Sequence, residues 1–188
     1  FESDLYGDNS LSNRPMDRII NPLQKMGANI LSKNKKLPIN IKGQKLKNIR
    51  YNLEIPSAQI KSGIAFAALF IDEITIIIEK YITRDHTEKI LKLFNADIKI
   101  KKFNGAKHIF IRGQKELTPK NIKIPSDFSS AVFFIVAAMI NENSYIKMKN
   151  INLNPTRIGF LKAIKYMGGN LVIKNKQKTE RKTGQHAL

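Results

Sequence analysis

Residues 55–70 read IPSAQIKSGIAFAALF, and the reading of this stretch decides the fold. From Gly63 to Ile71 nothing is charged. The run predicts a buried helix over Ser57–Phe70. Its mouth is polar: Ser57, Gln59 and Lys61 stand at the expected start. A helix N-terminus presents free N–H groups and about half a positive charge. A hydroxyl and an amide added there, with an ammonium within reach, make an anion cradle, with phosphate the natural occupant. The plainer alternative is that Ser57 only caps the helix. A cap does not require Gln59.

The stretch has a counterpart in KIPSDFSSAVFFIVAAMI. Ile55-Pro56-Ser57 and Ile124-Pro125-Ser126 stand 69 residues apart. A second pattern occurs three times: an amphipathic helix, a small turn, then a strand. Its copies are RPMDRIINPLQKMGANI, HTEKILKLFNADIKI and TRIGFLKAIKYMGGNLVI. Such self-similarity marks a fold built from repeated units. The central unit reads strand, helix, strand, helix, strand, strand: Asn52–Ile55, Ser57–Phe70, Glu73–Glu79, Asp85–Phe94, Asp97–Phe103 and His108–Arg112. Its last two strands pair across Asn104-Gly105. A following unit begins alike, with Asn121–Ile124, Ser129–Ile140, Tyr145–Lys149, Thr156–Met167 and Leu171–Lys174. A preceding unit supplies only its tail, with helix Pro15–Met26 and strands Ile30–Ser32 and Pro38–Lys42. The expected class is therefore α/β with repeated βαβαββ units, truncated at both ends. The expected division is 1–120 and 121–188, with a disordered tail from about 176.

Helix ends fit this division. Asp85 with Glu88 resembles a capping box. Asn154-Pro155 suits a helix start, and Gly27 and Gly168 suit helix stops.

The 188 residues include no cysteine, which excludes a disulfide framework and Cys-ligated zinc and suits a cytosolic protein. Hydrophobic residues make up 42%, enough for a core. The longest apolar run is far short of the ~20 residues that span a bilayer. A formal charge of +18 favours anionic partners. Most of it is scattered lysine, which a solvated surface explains. Arginine is more informative, because its planar fork suits phosphate and carboxylate.

Arg84 in YITRDHTEK falls at the second strand-to-helix junction, toward the edge that carries Ser57; its alternative is a surface arginine paired with Asp85 or Glu88. Arg14 in SNRPMDR is held at a helix entrance by Pro15, a place that first turns normally give to acids. That position suits a carboxylate or phosphate clamp; the alternative is a helix-start arginine with no ligand. Arg157 is a further first-turn arginine. His86, His108 and His186 have no partners spaced for a metal site or a triad. Asp127 and Ser129 read as caps. The sequence holds no GxxxxGK[ST], GxGxxG, GxSxG, HExxH or EF-hand loop. Aromatic residues are not interleaved with the basic runs, which weakens a nucleic-acid reading.

Five motifs, in order and spacing, resemble the middle of the 5-enolpyruvylshikimate-3-phosphate synthase family (3-phosphoshikimate 1-carboxyvinyltransferases). They are GDNSLSNRPMDRIINPLQKMGA, IPSAQIKSGIAFAALF, YITRDHTEKILKLFNADI, PSDFSSAVFFIVAA and NLNPTRIGFLKAIKYMGG. The resemblance covers about residues 4–175. It implies a two-domain enolpyruvyl transferase fold, an inside-out α/β barrel with ligands closing at the hinge. It implies transfer of the enolpyruvyl group of phosphoenolpyruvate to the 5-hydroxyl of shikimate 3-phosphate, with release of phosphate. No metal or organic cofactor, no nucleic acid and no membrane is implied, and the intact enzyme would be a cytoplasmic monomer. By position, Ser57, Gln59 and Arg84 resemble contacts to shikimate 3-phosphate. Arg14 and Gln59 resemble contacts to phosphoenolpyruvate. No catalytic residue of the family falls within this stretch, so turnover by the stretch alone is not expected. Departures are Ser126 and Asn95 where the family commonly has glycine, and an atypical end after Lys182. Two rivals remain: the related transferase acting on UDP-N-acetylglucosamine, and a basic nucleic-acid-binding module.

Overall fold

The helix that starts after Ser57 lies at the centre of the larger of two units. The computed structural model describes residues 1–176. His186 and the tail expected to be disordered lie outside the described residues. The chain divides into Phe1–Pro119 and Lys120–Leu188.

In the first unit, strands β1 (Glu2–Leu5), β2 (Asn29–Ser32) and β3 (Ile39–Lys42) form an antiparallel sheet in the order β1-β3-β2. Two helices join β1 to β2: short α1 (Asn9–Ser12) and amphipathic α2 (Asp17–Lys25). The complete unit follows as β4 (Arg50–Asn52), α3 (Ala58–Ala68), β5 (Ile74–Glu79), α4 (His86–Leu93), β6 (Asp97–Phe103) and β7 (Ala106–Arg112). This is the expected strand–helix–strand–helix–strand–strand order. Its sheet runs β4-β5-β7-β6. Strand β4 is parallel to β5; β7 is antiparallel to both β5 and β6. The β6–β7 hairpin turns at Asn104 and Gly105, both with positive φ (48° and 71°), as a tight two-residue hairpin requires.

Helix α3 packs on this sheet through Ile60, Ile64, Ala65 and Ala68. These meet Ile77, Ile98, Ile109 and Ile111 from the strands and Leu91 from α4. Its other flank takes α2. A Cβ on Gly63 would come within 2.1 Å of Ile19 Cδ1, so the lack of a side chain there sets how closely α2 approaches. The helix is not buried all round, since Phe66 is exposed, as is Phe70 just beyond its end. The three helix stops agree with the repeat. Gly27 (φ 92°), Asn95 (φ 65°) and Gly168 (φ 81°) are all left-handed, and Asn is the residue besides Gly that best tolerates this.

The second unit keeps its helices and loses its expected strands. Helices α5 (Phe128–Ile140) and α6 (Gly159–Tyr166) pack through Phe128, Ile135, Leu161 and Ile164. Segments 121–124, 145–149 and 171–174 form no strand; Ser126 and Ile151 make an isolated parallel bridge. A strand exists only by pairing, and these segments find no ladder among the described residues. Asn154 does start a turn, its side chain accepting from the N–H (3.0 Å) and hydroxyl (2.9 Å) of Thr156, but α6 begins later. No helix among the described residues is long and apolar enough to cross a membrane.

Candidate functional site

Strands β4 and β5 run parallel and end side by side. Asn52 lies opposite Ile78, and the Leu53 N–H donates to the Ile78 carbonyl at 2.9 Å. The chain leaves both strands at the same sheet edge, turns, and enters α3 and α4. The space outside the carboxyl ends of parallel strands is where ligands bind in such sheets.

The first turns of α3 and α4 touch. The hydroxyls of Ser62 and Thr87 are 2.6 Å apart. Lys61 Nζ lies 2.9 Å from Glu88 and 3.0 Å from Glu79. Ser57 therefore stands on a helix start joined directly to the helix that follows Arg84.

Ser57 is the N-cap of α3: its oxygen accepts from the Ile60 N–H at 3.4 Å. A hydroxyl that accepts in this way keeps its own proton to donate. Gln59 is in the first turn and exposed. Arg84 is exposed in the loop between β5 and α4. It is not paired with Asp85 or Glu88, because Asp85 binds Lys89 at 3.1 Å and Glu88 binds Lys61 and Lys107. Ser57, Gln59 and Arg84 thus share one sheet edge, with two side chains open to solvent and one half-buried. Arg14 sits on the exposed turn between α1 and α2. No hydrogen bond or ion pair among the described residues links it to that edge.

Lys61 does not belong to the cradle. It is 1% exposed, and its ammonium points inward to the two carboxylates. It is one of four charges packed under the site. Lys107 Nζ, from β7, lies 2.7 Å from Glu88 and 3.2 Å from Glu79. Two ammoniums and two carboxylates balance. Burial alone would raise the Glu79 pKa. Hydrogen bonds from the Thr83 hydroxyl and N–H, with the Lys61 ammonium, outweigh it and hold Glu79 below the usual carboxylate range. Burial alone would lower Lys107; Glu88 and Glu79 more than reverse that, so its pKa is raised.

Glu88 is accordingly no capping-box partner, and Asp85 makes no side-chain cap bond. Sequence reading missed this cluster. The available signal was Lys61 and Glu79 occupying positions that the helical and strand periods assign to the core. Arg157 is likewise engaged within its own unit: it lies 3.3 Å from Asp127 and donates to the Ser129 hydroxyl. Asp127 caps α5 by accepting from the Ser130 N–H at 2.9 Å; that bond, with help from Arg157, lowers its pKa against the opposing effect of desolvation.

The opposite face of the four-stranded sheet is different in kind. Arg50, Lys101, Lys102, Phe103, His108 and Phe110 line an open cavity of about 310 Å³. The Phe103 and His108 rings meet edge-to-face at 5.9 Å. Basic and aromatic side chains do come together here, contrary to the sequence expectation. Among the described residues, no group of three His, Cys, Asp or Glu could hold a metal ion.

A sequence profile for EPSP synthase (3-phosphoshikimate 1-carboxyvinyltransferase) matches residues 1–187. A 3-phosphoshikimate 1-carboxyvinyltransferase from Vesicomyosocius okutanii is 49% identical over 93% of this chain and 40% of its own. One from Lactiplantibacillus plantarum is 43% identical over 92% and 40%. The solved structure of EPSP synthase from Acinetobacter baumannii superposes with a TM-score of 0.77 at 41% identity, over 95% of this chain and 40% of that one. The chain thus spans 40% of the length of these relatives, and within that span the chain belongs to the EPSP synthase (3-phosphoshikimate 1-carboxyvinyltransferase) family.

Proposed function

We propose that this chain is the shikimate 3-phosphate-gripping part of a 3-phosphoshikimate 1-carboxyvinyltransferase. The whole enzyme would transfer the enolpyruvyl group of phosphoenolpyruvate to the 5-hydroxyl of shikimate 3-phosphate and release phosphate. The observation that carries this reading is the meeting of two crossover helix starts at one sheet edge, with Ser57 and Gln59 at one and Arg84 in the loop that leads into the other, in a chain of this family. The free N–H groups of α3 and the Ser57 proton receive phosphate oxygens. Arg84 supplies the planar, always-charged fork. Gln59 offers an amide at the border of both substrates, and Arg14 clamps the carboxylate or phosphate of phosphoenolpyruvate. What these residues contribute is position and charge: two anions held close together, their oxygens matched by fixed donors. Residues 1–120 would form most of one domain and 121–188 the start of the other, in a cytoplasmic monomer.

Titration of the chain with shikimate 3-phosphate and with inorganic phosphate tests this. Wild type should prefer the metabolite by about tenfold or more, and Arg84→Ala should abolish the preference. Equal binding of the two anions overturns the reading.

A second reading, a nucleic-acid-binding surface, rests on the basic, aromatic sheet face around Arg50 and Phe103. It requires binding of single strands that weakens steeply with salt and is indifferent to Arg84→Ala.

A further inference from the structure

Glu79 ends β5, and Thr83 stands next to Arg84 in the loop that follows. Glu79 Oε1 accepts from the Thr83 N–H at 2.7 Å, from the Thr83 hydroxyl, and from Lys61 Nζ at 3.0 Å. One carboxylate oxygen therefore ties the strand end, the arginine loop and the first turn of α3, two residues beyond Gln59. Glu88 and Lys107 close the cluster from α4 and β7.

As a source of stability this is an inefficient design. Buried ion clusters often do no better than apolar side chains of the same volume. Here Glu88 Oε2 is buried without a hydrogen-bond partner among the described residues, a further cost. Apolar packing could fill the space, but it could not fix the direction of the loop. A carboxylate that receives both the N–H and the hydroxyl of one residue does fix it, and the next residue is Arg84.

We infer that Glu79, acting through Thr83, is a positioning residue that holds Arg84 at the separation from Ser57 and Gln59 that a phosphorylated, sugar-like acid spans. The inference rests on the proposed function above. Thr83 is where it is tested, because substitution there leaves the Lys61–Glu79 and Lys107–Glu88 pairs in place.

Thr83→Val removes the hydroxyl and keeps the branched shape. It should weaken shikimate 3-phosphate binding by about tenfold, the size of a hydrogen bond to a charged group. Thr83→Ser should restore binding, and Thr83→Ala serves the same comparison should valine disturb the fold. Amide exchange across residues 80–85 of the unliganded chain should quicken in Thr83→Val and recover in Thr83→Ser. The decisive measurement is the cycle with Arg84→Ala: in that background Thr83→Val should change affinity by less than about twofold. A purely structural role predicts the same loss with or without Arg84. Intact preference for the metabolite over inorganic phosphate together with an additive cycle, or with wild-type binding by Thr83→Val, overturns this inference alone. No preference in the wild-type chain overturns the proposed function and this inference with it.

Discussion

Helices α3 and α5 each follow an Ile-Pro-Ser step and each start at a side-chain cap, Ser57 for α3 and Asp127 for α5. Their surroundings differ. Helix α3 lies on a four-stranded sheet with α2 on its other flank, and five of its eleven residues are buried. Helix α5, the more apolar of the two, buries three of thirteen: Phe133, Phe134 and Ile140 are exposed. The fourth residue after the cap is Lys61 in α3 and Ala131 in α5, both buried. One site is filled by an ion cluster and the other by a methyl group. The same opening motif therefore yields a helix start that is braced by charge in one unit and packed plainly in the other. Among the described residues, Arg84 beside the braced start has no ion-pair partner. In α5 the neighbouring arginine, Arg157, is engaged by the cap.

The largest way to break this contrast is Lys61→Met. It leaves Glu79 and Glu88 with one cation for two carboxylates, and should destabilise the first unit by about 3–5 kcal/mol, read from urea unfolding. Core truncation comes next. Ile64→Ala removes a fully buried side chain beneath α3 and should cost about 2–5 kcal/mol; Ile135→Ala in α5, 8% exposed and less enclosed, should fall at or below the low end of that range.

A pH series sharpens the contrast with smaller effects, since it withdraws one charge and leaves the groups packed. The lowered Glu79 pKa means that its contribution is complete above the ordinary glutamate value of about 4.3 and is lost as pH falls through its own lower value. The raised Lys107 pKa means the opposite limb: its contribution is complete below the ordinary lysine value of about 10.4 and is lost as pH rises through its own higher value. Glu79→Gln should flatten the acid limb of first-unit stability. Smallest is the cap: Ser57→Ala, losing a long 3.4 Å bond, should cost about 0.5–1 kcal/mol, seen as faster amide exchange at Ile60.

The legible parts of the fold were those carried by local pattern. Three amphipathic helices with left-handed stops, the Asn104-Gly105 hairpin and the Ser57 cap all follow from residues within a few positions of one another. What depends on distant partners was not legible. Strand β1 forms because Glu2–Leu5 lies opposite Ile39–Lys42, and nothing in ESDL announces it. Segment 145–149 has strand-like residues and pairs with no strand among the described residues. The ion cluster joins α3, β5, α4 and β7, so Lys61 read as part of a polar mouth until its ammonium was seen to point the other way. Of the expected site, the positions of Ser57, Gln59 and Arg84 on one sheet edge were readable from the two crossovers. The Thr83 tether under Arg84 was not, because it is a contact of side-chain geometry rather than spacing.

Strand β6 borders the four-stranded sheet, and seven residues of backbone lie along that border. A long strand margin invites recruitment of another molecule's strand. Lys99, Lys101 and Lys102 sit along it, and a second chain approaching in register would have to bring its own lysines against them. The lysines of β6 thus oppose in-register pairing of two copies at this margin.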